Sequence, residues 1–275
     1  MRIPFPWLGS LIATASTPAL AAPDDSLWVD IHDTAGALLT DPLDTVATPD
    51  LVGSADSSSS TYGAAAQWYA DADHLYVRMR LDEDPSDNTF PLRSDSWSVL
   101  IDTDEDLSTY EYIVIANDFG SDMAVWANSS DSGGGWQDEP EELVIDWSDP
   151  TPFGDILEVS EWSGGADGFQ EDPDYWIVLS LSRSDLSAGD VLVDDSVFRL
   201  AFATDTSSSA TTMSNDLAGV DNINETPDLA SVFSEALSVD EDGDGLTYFE
   251  EVEIGTDPTS EDTDGDGLSD SDEVE

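Results

Sequence analysis

The sequence predicts a mainly β protein: an antiparallel, jelly-roll-like β-sandwich followed by a small Asp/Gly-rich tail. From Leu27 onward, short segments that alternate aromatic or β-branched residues with polar ones are separated by clusters of Asp, Ser, Gly and Pro. About eight such segments follow one another too closely for helical crossovers, which favours a sandwich. Beyond Ser238 the alternation stops and a carboxylate-dense pattern begins.

The predicted strands are clearest at 75–81, 97–102 and 110–115. In the first of these, the odd-numbered residues are all apolar, whereas Arg78 and Arg80 lie on the opposite face. We therefore expect core on one face and solvent or an acidic neighbour on the other. Weaker patterns predict strands at 64–69, 124–127, 143–147, 175–181 and 197–203, and a short helix at 228–237.

The charge of the chain is extreme. It has 62 acidic residues and a formal net charge of -56, and its six basic residues are all arginine. Such a surface repels nucleic acid and anionic membranes, so neither is expected as a partner. Salt or bound divalent cations should stabilise the fold by screening the repulsion. A saline habitat and an arginine-preferring genome are both compatible with this composition.

Cysteine is absent, which excludes disulfides and thiolate metal sites.

The N-terminus has the pattern of an export signal. An apolar stretch from Ile3 to Ala15 follows Arg2, and Ala19-Leu20-Ala21 forms an A-x-A cleavage site before an acidic start. We therefore expect a signal peptide at 1–21 and an exported protein, extracellular or on the outer cell surface, with the periplasm as an alternative. No later apolar run approaches the roughly 20 residues of a membrane span.

Two segments of the tail, 22 residues apart, match the pattern D-x-[DN]-x-[DN]-G-x5-E at every specified position. Carboxylates at positions 1, 3 and 5 converge on one cation, glycine at 6 permits a sharp turn, and the carbonyl at 7 and a bidentate Glu at 12 complete the shell. The pattern predicts Ca²⁺ as the cofactor; a chance match in a disordered acidic tail is the alternative. The predicted ligands are Asp240, Asp242, Asp244, Leu246 and Glu251 in the first loop (240–251) and Asp262, Asp264, Asp266, Leu268 and Glu273 in the second (262–273).

The tail departs from helix-loop-helix EF-hands, because no helix-length amphipathic segment precedes the second loop and a Gly-Thr-Asp-Pro sequence lies between the loops. From Val239 to Glu275 it instead resembles bacterial thrombospondin type 3 repeats. In that family the repeats wrap around calcium as stiff stalks or spacers, often between a binding domain and a cell-surface anchor. The expected organisation is a signal peptide at 1–21, a β-sandwich domain at 22–237 and calcium-binding repeats at 238–275.

The segments Gln67 to Arg78 and Ser94 to Asp102 resemble family 9 carbohydrate-binding modules and related DOMON-like sandwiches. The resemblance implies a sandwich whose partner is a polysaccharide or another surface protein. Trp126 and Trp136, in the loop-rich middle of the chain, are the candidate ligand residues. Packing in the sandwich core is the alternative role for such tryptophans.

A further acidic run, Asp102 to Asp106, has Leu107 instead of glycine at position 6 and no Glu at position 12. We expect it to be a solvated acidic hairpin turn.

The chain lacks a G-x-S-x-G elbow, a P-loop and a dinucleotide fingerprint, and its two histidines form no metal motif. The predicted function is therefore that of a secreted or cell-surface, non-enzymatic calcium-binding protein, with the sandwich as a binding or display module on a calcium-stiffened stalk. A polysaccharide-targeting carbohydrate-binding module is the main alternative. A glycoside hydrolase with an Asp/Glu pair is the other, because pair separation is not readable from sequence.

Overall fold

A computed structural model of the chain describes residues 22–41, 50–55, 63–86, 91–117, 121–129, 140–148, 152–162, 173–193, 196–206, 216–220 and 232–274. The expected signal peptide at 1–21 and the candidate ligand residue Trp136 lie outside these ranges. Within them, no helix has the length and apolar character needed to cross a membrane.

The described elements are mostly short strands. The strands are β1 (Val29–Asp30), β2 (Ala66–Ala70), β3 (His74–Leu81), β4 (Ser96–Asp102), β5 (Tyr112–Asn117), β6 (Asp122–Ala127), β7 (Glu142–Asp146), β8 (Leu157–Glu161), β9 (Tyr175–Ser182), β10 (Val197–Asp205), β11 (Asp216–Leu217) and β12 (Leu237–Ser238). The helices are α1 (Arg183–Ala188), α2 (Tyr248–Ile254) and α3 (Asp270–Val274).

The strands form two antiparallel sheets. One has the order β1-β2-β3-β9-β8, and the other has the order β11-β10-β4-β5-β6-β7, with β12 pairing to β10. Val77 and Met79 of the first sheet lie in one buried apolar cluster with Val99 and Phe202 of the second. The sheets therefore pack on a shared core, and the predicted β-sandwich class is confirmed.

The outer face of β3 carries buried arginines. Arg80 is fully buried, its Nε donates to Oδ2 of Asp174 at 2.6 Å, and its guanidinium lies 3.6 Å from the ring centroid of Trp162. Arg78 pairs with Asp25 at 2.9 Å. The expected acidic neighbour of this face is thus present, and each arginine neutralises a carboxylate of the same domain.

The expectation of a helix at 228–237 is wrong for the part of this range that the structure describes, 232–237. Leu237 instead begins β12, where it pairs with Phe198 of β10 and is only 6% exposed. Val239, just past the expected boundary at Ser238, also lies in the interior core. Strand pairing and apolar burial far along the sequence outweigh the local helix preference here.

Candidate metal centres

The first loop is a tight turn organised around Asp240. The Asp240 carboxylate accepts hydrogen bonds from the backbone N–H groups of Gly243 at 2.8 Å and Gly245 at 3.0 Å. Both glycines have left-handed backbone angles, with φ of 78° and 105°, which other L-residues rarely adopt. The N–H of Leu246, at position 7, donates to Asp244 at 2.8 Å. The glycines of the motif therefore produce the conformation that turns these carboxylates inward.

The first loop brings carboxylates together, and in the part of the chain that the structure describes no ion pair joins them to a basic side chain. One carboxylate oxygen from each of Asp240, Asp242 and Asp244 lies within 4.8 Å of the others. Oδ2 of Asp242 and Oε2 of Glu251 are buried and accept no hydrogen bond from the described residues. Burial raises the pKa of Glu251 to about 7, and the charges of Asp242 and Asp244 add to the rise. Such a group of oxygens is suited to a metal ion, because buried carboxylates are costly without a counter-charge.

Helix α2 places Glu251 in this group. Thr247 caps the helix in a capping box: the Glu250 N–H donates to Thr247 Oγ1 at 3.2 Å, and the Thr247 N–H donates to Glu250 Oε2 at 2.8 Å. The helix ends at Gly255, which has a left-handed φ of 88°. With the start of α2 fixed in this way, Glu251 is fully buried.

The first loop is also anchored on the sandwich. The Phe249 ring lies 5.1 Å from that of Trp68 and 4.7 Å from that of Tyr69, both on β2. At the base of the loop, the N–H of Tyr248 donates to the carbonyl of Val239 at 2.9 Å. Both ends of the loop are therefore held by packed elements.

The second loop repeats the same backbone pattern. The Asp262 carboxylate accepts from the N–H groups of Gly265 and Gly267, both at 2.8 Å, and the Leu268 N–H donates to Asp266 at 3.1 Å. Oxygens of Asp262, Asp264 and Asp266 lie within 4.8 Å of one another. Asp264 and Asp266 are exposed, and Glu273 follows on α3, where the charge of Asp264 raises its pKa. The two loops thus share a geometry but differ in burial.

Residues at the start of α3 connect the loops, and the sequence analysis did not single them out. Ser271 donates from its N–H to Oδ2 of Asp244 at 2.8 Å and from its hydroxyl to the Asp244 carbonyl at 2.7 Å. Asp270 is 1% exposed, accepts from the Thr263 hydroxyl at 2.7 Å, and adds negative charge near Glu251. Asp270 occupies position 9 of the second loop. Because the residue at this position often reaches the cation through water, the motif spacing alone could have identified it.

A third acidic group lies in the sandwich, at the β4–β5 hairpin. Asp102, Asp104 and Glu111 each place one carboxylate oxygen within 4.8 Å of the others. The expectation of a solvated turn is wrong for Asp102, which is 1% exposed because it ends the buried strand β4. It holds for Asp104, Glu105 and Asp106, which are exposed.

The candidate ligand residue Trp126 lies on β6. Its half-buried side chain packs against the apolar cluster on the outer face of the second sheet. Its cross-strand neighbour on β7 is Leu143, which is 46% exposed. Trp126 therefore borders a partly open apolar surface, and its role as a ligand residue stays a prediction.

Comparison with known proteins adds no relative: no protein family, no curated protein and no solved structure matches this chain.

Proposed function

We propose that this is a secreted or cell-surface calcium-binding protein without enzymatic activity, in which Ca²⁺ stiffens the C-terminal loops and the β-sandwich serves as a binding or display module. The proposal is carried by two buried carboxylate oxygens of the first loop, Asp242 Oδ2 and Glu251 Oε2, which accept no hydrogen bond from the described residues. They occupy positions 3 and 12 of a motif in which both positions are metal ligands.

The donor chemistry favours calcium over other metals. The predicted ligands are carboxylate and carbonyl oxygens, without nitrogen or sulfur, and such a set suits hard cations. Ca²⁺ accepts six to eight oxygens in a flexible shell, whereas Mg²⁺ demands a near-ideal octahedron and keeps several waters. A loop with five oxygen-bearing positions, one of them a bidentate Glu, therefore fits calcium. A bound Ca²⁺ ion would neutralise these carboxylates.

Calcium would stiffen the tail because its ligands lie on separate elements. Asp240 follows β12, and Glu251 belongs to α2, so one ion would tie the two elements together. Ser271 then joins the second loop to Asp244 of the first. The 38 residues from Ser238 to Glu275 carry 16 acidic residues and no basic one, so mutual repulsion opposes this compact arrangement until cations bind.

The test is calorimetric titration of Ca²⁺ into the EDTA-treated protein, with circular dichroism to follow α2 and α3. Asp242→Asn and Asp264→Asn should each remove one binding event. Glu241→Gln is the matched control, because it removes one negative charge at an exposed loop position that is not a predicted ligand. Equal weakening by all three variants would mean a diffuse charge effect and would contradict specific sites, as would an absence of saturable binding.

Polysaccharide binding by the sandwich is a second candidate, favoured by the partly open surface around Trp126 and Leu143. Tryptophan rings stack on sugar faces when one face stays accessible, because the ring is both large and apolar. Binding to an insoluble polysaccharide that is lost in Trp126→Ala and kept in Trp147→Phe would support it. Uniformly absent binding across a glycan panel would leave the display role, and release of reducing ends would refute the non-enzymatic proposal.

A further inference from the structure

The β4–β5 hairpin carries features of a cation site that are independent of the C-terminal loops. Asp102 ends β4, and Glu111 lies next to the start of β5, directly across the hairpin. Asp104 projects from the turn between them. Their carboxylate oxygens lie within 4.8 Å of one another. This proximity alone is not evidence of a site, since acidic residues are abundant in this chain.

The independent observation is that one carboxylate oxygen of Asp102 is buried without a hydrogen bond. Its side chain is buried, with 1% of the residue exposed, and its Oδ2 accepts no hydrogen bond from any residue that the structure describes. Its other oxygen, Oδ1, accepts from the N–H groups of Asp104 and Glu105 at 3.1 and 2.9 Å. A buried carboxylate oxygen without a donor is costly, and it is rare in folded proteins unless an ion or water fills the place.

The nearest basic side chain does not supply the missing partner. Arg199 is the cross-strand neighbour of Asp102 on β10, but its Nη1 donates to the Ser234 carbonyl at 3.0 Å. Among the described residues, no ion pair joins Arg199 to Asp102. The three carboxylates outnumber this one guanidinium, and a divalent cation would supply the positive charge that the group lacks.

The turn has the same local conformation as the first half of both C-terminal loops. The N–H at position 4 donates to the Asp at position 1 in each: Glu105 to Asp102 at 2.9 Å, Gly243 to Asp240 at 2.8 Å and Gly265 to Asp262 at 2.8 Å. The residue at position 4 is left-handed in all three, with φ of 65°, 78° and 75°. In the hairpin this residue is a glutamate, so the conformation is held at a cost of about 1 kcal/mol or more.

The two kinds of turn diverge after position 5. In the C-terminal loops, the chain continues through glycine into a helix that supplies Glu at position 12. In the hairpin, Leu107 packs against the outer apolar cluster and the chain returns as β5, so the opposite strand supplies the carboxylate instead. Glu111 Oε2 accepts from the Thr103 N–H at 2.8 Å, which fixes it over the turn.

We propose that Asp102, Asp104 and Glu111 form a third calcium site, built into the β4–β5 hairpin of the sandwich itself. Asn128 is a further oxygen donor to consider, because its N–H donates to the Glu111 carbonyl at 2.8 Å and its Oδ1 is buried without a hydrogen-bond partner in the described structure. A cation bound here would hold the β4–β5 hairpin in its conformation, and its binding would not require the C-terminal loops.

The experiment uses the full protein with both C-terminal loops inactivated by Asp242→Asn and Asp264→Asn. Titration of Ca²⁺ into this EDTA-treated double variant, in 0.15 M NaCl, should still show one saturable event per chain. Adding Glu111→Gln should weaken that event at least about tenfold, because a bidentate-capable oxygen ligand loses its charge. Glu105→Gln is the matched control, since it removes an exposed charge from the same turn, and it should leave binding within about twofold.

Asp102→Asn is the second variant, and circular dichroism establishes that each variant is folded. Loss of binding in the double variant itself, or equal binding with and without Glu111→Gln, would overturn the hairpin site. Neither result bears on the C-terminal loops, which are measured with the hairpin intact. Conversely, binding that persists in the double variant and disappears with Glu111→Gln would stand even if the tail bound nothing.

Discussion

The β-sandwich and the C-terminal loops both bury carboxylates, but they neutralise them differently. In the sandwich, Asp174 is fully buried against the guanidinium of Arg80. In the first loop, Glu251 is equally buried, and the tail that contains it has no basic residue. The Arg80–Asp174 pair therefore carries its own counter-charge, whereas the buried carboxylate of the first loop would need a cation from solution.

The largest expected effect is that of Asp174→Ala. It leaves the Arg80 charge buried without its partner, so we expect a loss of roughly 3–5 kcal/mol in the free energy of unfolding. The loss should be the same in EDTA and in saturating Ca²⁺, because the pair contains its own cation. Urea denaturation in both conditions measures it.

The control for this pair is Asp25→Ala. Asp25 pairs with Arg78 but is 62% exposed, so its loss should cost less than about 1 kcal/mol. If Ca²⁺ restored the stability lost in Asp174→Ala, the Arg80–Asp174 pair would not be independent of cations from solution.

Glu251→Gln should have opposite effects with and without metal. In EDTA it removes a buried negative charge that has no cation beside it, and the variant should unfold at a higher temperature than the native protein. With Ca²⁺ at a hundred times the native Kd, the native loop gains about 2.7 kcal/mol, most of which the variant should lose. Thermal unfolding followed by circular dichroism tests both signs. Glu273→Gln, at the exposed equivalent position of the second loop, should raise the unfolding temperature less in EDTA. A larger rise than that of Glu251→Gln would contradict the greater burial of Glu251.

Phe249→Ala should uncouple the first loop from the sandwich. Removing a partly buried ring that packs on Trp68 and Tyr69 should cost about 1–2 kcal/mol and should weaken calcium binding in the first loop only. Val252→Ala, on the exposed side of the same helix, is the control. Titration of each variant resolves the two loops; equal weakening of both would argue that Phe249 does not anchor the first loop selectively.

The smallest expected effect concerns Asp95, a sandwich carboxylate whose environment resembles that of the tail. Burial raises its pKa from 3.8 to about 6, with Asp205 and Glu83 adding to the rise and Arg93 opposing it. Since the folded pKa lies above the unfolded one, protonation of Asp95 stabilises the fold at low pH. This contribution is lost as the pH rises from about 4 to about 6.

Asp95→Asn should therefore flatten the stability profile across that interval and stabilise the protein at pH 7 by on the order of 1 kcal/mol. Urea denaturation at pH 4, 5, 6 and 7 measures the profile. The exposed substitution Asp155→Asn should leave the slope unchanged. A slope that survives in Asp95→Asn would assign the dependence to other carboxylates.

Local patterns in the sequence were enough to predict most of the longer strands and the turns of the two loops, but not β8, β11 or β12. The apolar positions of β3 alternate with Arg78 and Arg80, and this period alone identifies which face enters the core. The motif positions of the first loop specify its turn, because glycine permits the left-handed angles observed at Gly243 and Gly245.

Features that depend on distant pairing were missed. β12 is two residues long, so only its pairing with Val197 and Phe198 identifies it as a strand. Glu111 escaped notice because the hairpin, not motif spacing, brings it to Asp102. Asp270 was overlooked for a similar reason: it approaches the first loop only through the contact between Ser271 and Asp244. The tertiary contacts that complete each acidic group leave no fixed spacing in the sequence.

The connection between Ser271 and Asp244 has a mechanical consequence. A pull on the chain beyond α3 would first load these two hydrogen bonds, then the packing of Phe249 on β2, and finally the pairing of β12 with β10. The tail would peel from its end inward, and, with the proposed calcium ions bound, each loop would have to release its ion before extending. Ambient calcium would then set the force at which the polypeptide lengthens, so that the tail would act as an ion-tuned tether.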